Sequence, residues 1–141
     1  MRHLKVLLAP LAGLLITGCS VSEVKPKIES SILLQSSSSW DGTPYSAYPR
    51  GKPELTLLKI KIPANTVLDW HTHPTPNAAY ILSGELTVET RKDGHKRLLK
   101  PGDTLAETVD IVHRGFTGEQ PAELLVFYAG TPRVPLSEKA K

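Results

Sequence analysis

The chain has 141 residues, 17 Lys and Arg against 14 Asp and Glu, and a net charge of +3. That length suits one domain with a proper core, and no basic patch points to nucleic acid. A single cysteine, Cys19, excludes a disulfide framework, so packing must hold the fold even in an oxidising compartment.

The chain opens with Arg2 and Lys5, followed by an apolar run from Val6 to Ile16 broken only by Pro10 and Gly13. The run is too short to span a bilayer and has the flanks of a signal peptide. Ile16-Thr17-Gly18-Cys19 resembles the lipobox of bacterial lipoproteins. The resemblance implies a signal peptide over residues 1–18, cleavage, and lipid on Cys19, so that the membrane is met through a lipid anchor only. Ser20 follows the cysteine, which in that family leans toward the outer membrane, facing the periplasm. Loss of Arg2 and Lys5 leaves 15 basic against 14 acidic residues, a net charge of +1.

Residues 19–30 are short, polar and mixed, and read as a tether. Ile32-Leu33-Leu34 predicts a first strand. Trp40 to Pro53 is rich in Gly, Pro and Tyr, and residues 31–53 read as an ordered, irregular arm, because Trp40, Tyr45 and Tyr48 are costly to leave in water. From Glu54 the pattern is β throughout. Leu58, Ile60 and Ile62 alternate with Lys59 and Lys61, and Leu55 and Leu57, out of phase, predict a bulge near Leu57-Leu58. Strands follow at Thr66–His73, Ala78–Leu82, around Leu86 and Val88, His95–Lys100, Thr104–Glu107, Ile111–Phe116 and Leu124–Ala129, separated by Gly, Pro and Asp-Gly turns. No stretch after the first 20 residues shows a 3.6 period. Many short strands at close spacing predict a sandwich or small barrel, with a body over residues 31–136 and a C-terminal tail at 137–141.

His71 and His73 form a His-x-His pair ahead of Pro74 and Pro76, which stiffen the chain as it leaves the strand. Residues i and i+2 of a strand share a face, so both imidazoles aim at one point. Asp69 shares their parity and is expected to face the same interior, with Leu68, Trp70 and Thr72 facing away. His113 is the third candidate ligand. Three imidazoles with an open position make a reactive or ligand-binding metal site, not a closed structural one. Arg114, next to His113, is expected on the opposite side, and His95 on an exposed hairpin tip. Tyr80 and Tyr128 read as core.

These residues carry a resemblance to the cupins, small double-stranded β-helix barrels of the jelly-roll type with a metal inside. The first cupin motif runs Gly, five residues, His-x-His, three or four residues, Glu, six residues, Gly. His71, His73 and Gly84 match it, with Asn65 at the opening Gly and Asn77 at the Glu. The second runs Gly, five residues, Pro-x-Gly, two residues, His, three residues, Asn. Gly102 and His113 match, and Thr108, Asp110 and Thr117 replace the Pro, Gly and Asn. The match covers roughly Glu54 to Gly130. It implies an all-β single cupin barrel with an extended N-terminal arm, and His71, His73 and His113 as ligands to a divalent transition metal (Fe, Mn, Ni, Cu or Zn).

Asn77 stands where the fourth ligand belongs. Its carbonyl oxygen can bind metal weakly but cannot take a proton. Glu107 is the nearest replacement carboxylate, as ligand, base or support of a ligand if it points inward, or a surface charge if it does not. Three functional readings follow: a metal-dependent enzyme on a small molecule, with dioxygenases, isomerases and decarboxylases in the family; a non-catalytic small-ligand module; or a metal that only pins the barrel. A carboxylate facing the metal discriminates the first two. Cupins often pair through edge strands, so the resemblance also implies a homodimer as one assembly.

Overall fold

A computed structural model of the chain describes residues 25–141; the expected signal peptide over residues 1–18 and Cys19 lie outside the described residues. Residues 25–30 are exposed coil, and residues 31–141 form the body. In chain order the strands are β1 (Glu54–Ile62), β2 (His71–Thr72), β3 (Asn77–Gly84), β4 (Leu86–Thr90), β5 (Lys96–Leu99), β6 (Thr104–Ala106), β7 (His113–Phe116), β8 (Ala122–Gly130) and β9 (Glu138–Lys139). No helix occurs among the described residues.

The strands form two antiparallel sheets, ordered β1-β8-β3-β6 and β5-β4-β7-β2-β9. This is the expected jelly-roll. Its core consists of the inward residues of both sheets, with Ile81, Leu99 and Leu105 fully buried among Ile62, Leu86, Val88, Leu124, Val126 and Tyr128. Burying each such aliphatic side chain contributes about 1.5–3 kcal/mol relative to leaving it exposed.

The expected bulge in β1 is absent: β1 pairs with β8 in unbroken register from Glu54↔Gly130 to Ile62↔Ala122. Thr56, not Leu57, continues the inner row of Leu58, Ile60 and Ile62, so Leu55 and Leu57 stay on the outer face with the lysines. The irregularity falls in β3 instead, where pairing steps from Ile81↔Leu124 to Ser83↔Glu123 and leaves Leu82 unpaired. Gly84 then turns with φ +72, and a Cβ there would meet the Pro121 carbonyl oxygen at 1.6 Å.

The expected strand at Thr66–His73 is also broken. Val67 pairs with Phe116 and His71 with His113, so four residue steps on one side oppose three on the other. An extra residue in one strand reverses the phase beyond it. Leu68 therefore packs on the core, on the same side as His71 and His73, and Asp69 turns out to solvent beside Lys139 at 2.8 Å. Both expectations for these two residues are thereby corrected.

Ile32-Leu33-Leu34 forms no strand, and Ile32 is 76% exposed, since no partner strand reaches it. The rest of the arm is ordered as expected, apart from the 76%-exposed Tyr48. The Asp41 carboxylate accepts from Ser39 Oγ at 2.5 Å and from Thr43 N at 3.0 Å, closing a turn bridged by Ser38 and Pro44. Trp40 packs on the core, its backbone N–H donates to Ala106 O at 2.8 Å, and the Tyr45 hydroxyl donates to Glu107 O at 2.6 Å. The arm is thus stitched to the end of β6. Tyr80 sits half-buried on the outer face, not in the core, because it alternates with the inward Ala79 and Ile81. His95 is exposed, its ring edge-on to Trp40 at 5.2 Å.

Candidate metal centre

His71 and His113 lie directly opposite each other across β2 and β7, and His73 follows two residues after His71. Their ring centroids are 4.5–5.0 Å apart, and one ligand nitrogen from each falls within 4.8 Å of the others. All three Nδ1 atoms contact backbone carbonyls: His71 to Asp69 O at 2.9 Å, His73 to Leu136 O at 2.7 Å, and His113 to Ile111 O at 2.8 Å. A carbonyl can only accept, so each Nδ1 carries the proton and each Nε2 keeps a free lone pair. This is the outer support that orients imidazoles toward a metal. The Thr108 hydroxyl, 2.9 Å from His113 Nδ1, adds a further contact.

Glu107 follows Leu105 by two residues and shares its inward side. Its backbone N–H donates to Asn77 O at 3.0 Å, and the residue is only 8% exposed. Glu107 Oε2 stands 3.5 Å from His113 Nε2, and both atoms are buried without a hydrogen-bond partner. Burial pushes the Glu107 carboxyl up to about 7 and holds His73 and His113 down to about 4. Between those values acid and imidazole are both neutral, so the contact is not an ion pair. Tyr128, raised to about 12 by burial and then by Glu107, presents its ring edge to His73 at 5.7 Å.

The surrounding cavity holds about 80 Å³ and is lined by aliphatic side chains together with His71, His73, His113, Glu107 and Tyr128. Asn77 is not in that lining. It faces inward opposite Tyr128, its amide donates to Thr75 O at 3.1 Å, and its Oδ1 is buried without a partner. Asp69 lies outside. Behind the site, Arg114 stacks on Trp70 at 4.2 Å and donates to the buried Glu89 at 2.6 Å, which locks the outer side of β7. Three lone pairs and an orphaned carboxylate oxygen around one cavity fit a divalent transition metal.

Residues 58–128 match the family model described as the cupin domain. The chain belongs to the cupin family. Three solved structures share its fold. The DMSP lyase DddQ from Ruegeria pomeroyi is 23% identical with TM-score 0.55, over 70% of this chain and 47% of that one. The polyketide cyclase RemF from Streptomyces resistomycificus is 20% identical with TM-score 0.55, over 64% and 63%. A cupin-like protein from Thermotoga maritima is 16% identical with TM-score 0.54, over 61% and 64%. The chain spans less than half the length of the DMSP lyases it matches. No curated protein sequence matches it.

The departures from the cupin motifs have structural explanations. Asn65 and Asp110, at positions where the family has Gly, adopt φ +53 and +58. Asn and Asp tolerate that left-handed region better than other side chains. Thr117, at the family's Asn, donates to Pro63 O at 2.6 Å and accepts from Thr66 N at 3.0 Å, tying the two motif turns together.

Proposed function

We propose that the protein is a metal-binding cupin lipoprotein of the cell envelope that acts on a small molecule as a metal-dependent, dioxygenase-like enzyme. The carrying observation is the Glu107 carboxyl 3.5 Å from His113 Nε2 in a cavity shared with all three imidazoles. His71, His73 and His113 would hold the ion through Nε2. When bound, it supplies Lewis acidity to a coordinated oxygen. Glu107, rather than Asn77, is the group able to take or give a proton there. The lining contains no Lys or Arg, so the cavity favours a small, uncharged substrate that reaches the metal through an oxygen.

A non-catalytic module that holds such a ligand is the second reading, favoured by the small volume. The envelope location rests on the lipobox-like Ile16-Thr17-Gly18-Cys19 alone.

Elemental mass spectrometry on the soluble chain beginning after Cys19, purified without chelator, tests the central claim. One transition-metal ion per chain is expected. Substoichiometric metal after reconstitution would turn the histidine cluster into a polar pocket wall.

A further inference from the structure

The C-terminal segment after β8 offers no obvious role in the sequence: Leu136 to Lys141 is polar and short. In the structure it returns to the metal cavity. We infer that residues 136–140 are a strap that orients two of the three metal ligands, an assignment that rests on the metal-binding reading above.

Several contacts converge on this role. The Leu136 side chain packs against the core, and its carbonyl accepts from His73 Nδ1 at 2.7 Å across 63 positions of sequence. That carbonyl fixes the tautomer and the ring plane of His73. Strand β2 has one paired position with β7, His71↔His113, but two with β9, His71↔Lys139 and Thr72↔Glu138. Ala140 N adds a bond to Trp70 O at 2.9 Å. Without β9, the strand carrying His71 is a two-residue edge paired with β7 only at His71↔His113, with the Asp110 N–H to His73 O bond beside it. Lys139 Nζ also reaches Asp69 Oδ2 at 2.8 Å, and Asp69 supplies the carbonyl that orients His71. That ion pair is exposed and contributes little by itself; the backbone pairing is the working part.

His113 is held differently. Its Nδ1 partners, Ile111 O and Thr108 Oγ1, lie within five residues of it. Loss of the strap therefore frees the His73 ring and unpairs one side of the strand that carries His71, whose ring keeps its local Asp69 O partner, and leaves His113 in place. Losing such orienting partners typically weakens metal binding by about 10–100-fold.

The experiment titrates Zn(II) calorimetrically into the soluble protein, into the same chain ended at Pro135, and into Ala140→Pro and Lys139→Ala, with circular dichroism on each. Ending the chain at Pro135 is expected to weaken Zn(II) binding about 10–100-fold. Ala140→Pro, which removes only the donor to Trp70 O, weakens it less, and Lys139→Ala leaves it unchanged. Ala140→Pro carries the test if the shortened chain unfolds. Equal affinity in the folded shortened chain, or in Ala140→Pro if that chain unfolds, overturns the strap. If the full chain binds no Zn(II), the metal reading fails, and imidazole ¹⁵N shifts of the metal-free proteins decide the strap alone. His73 should lose its single Nδ1–H tautomer while His71 and His113, whose Nδ1 partners are local, keep theirs; an unchanged His73 tautomer would overturn it.

Discussion

The carboxyl oxygen Oε2 of Glu107 lies 3.5 Å from Nε2 of His113, and neither atom has a hydrogen-bond partner. Two orphaned polar atoms facing each other in a buried cavity are costly unless a third party joins them. An unpaired buried polar group typically costs about 1–3 kcal/mol. A shared cation relieves both.

The first expected outcome concerns the ligands. His113→Ala or His71→Ala should abolish stoichiometric metal while the β-sheet circular dichroism signature survives, because the core is built from aliphatic residues on both sheets. Unchanged metal content in both variants would remove the site assignment.

Glu107→Gln should have opposite effects on stability and on metal binding. In the metal-free protein the Glu107 carboxyl is raised to about 7 by burial. The folded state then binds more protons than the unfolded state between about 4.5 and 7, so this group lowers stability as pH rises through that window. Gln removes the penalty: the metal-free variant should be more stable than the parent at pH 8, by roughly 1–3 kcal/mol, with the difference vanishing below pH 4.5. With metal present it should bind the ion more weakly, by about tenfold or more. Urea unfolding in chelator at three pH values, with a metal titration beside it, measures both. A variant no more stable than the parent at pH 8 would place Glu107 in water.

His73 and His113 act in the other direction. Burial lowers both to about 4, so between about 4 and 6.5 the unfolded state binds more protons and the metal-free protein gains stability as pH rises. Two imidazoles oppose one carboxyl. The metal-free parent should therefore gain stability from pH 5 to 6.5, and Glu107→Gln should gain it more steeply. A parent equally stable at pH 5 and 6.5 would contradict the buried, neutral imidazoles.

Gly84→Ala should cost at least ~3 kcal/mol, seen as a lowered urea midpoint. The left-handed φ of +72 and the 1.6 Å approach of a Cβ to Pro121 O leave no room without moving backbone. A loss below about 1 kcal/mol would mean the β3–β4 turn repacks easily against Pro121.

Cys19→Ser tests the envelope claim. The variant should stay unlipidated and partition into the aqueous phase of a detergent separation, while the parent enters the detergent phase. Identical partition would exclude the lipid anchor on Cys19.

Much of the fold was legible because its signals are local. Period two in Leu58, Ile60 and Ile62 and the turn glycines placed most strands, and the spacing of His71, His73, Gly84, Gly102 and His113 brought the imidazoles together. The rest depended on partners distant in sequence. Whether Leu68 or Asp69 faces inward is decided by an extra residue between Val67 and His71, visible only against β7. Strand β9 pairs through the backbone of Glu138 and Lys139, which have no apolar alternation to announce it. The inward direction of Glu107 had a usable signal, its shared parity with Leu105, but the turn that follows left a surface position equally open.

The stitches from Trp40 to Ala106 and from Tyr45 to Glu107 bear on where this domain begins. The stretch that matches the family, residues 58–128, contains all three histidines and the carboxylate but neither flank that grips them. Excised at those borders, the barrel would keep its chemical groups and lose their calibration. The unit that positions the site is therefore longer than the stretch that matches the family.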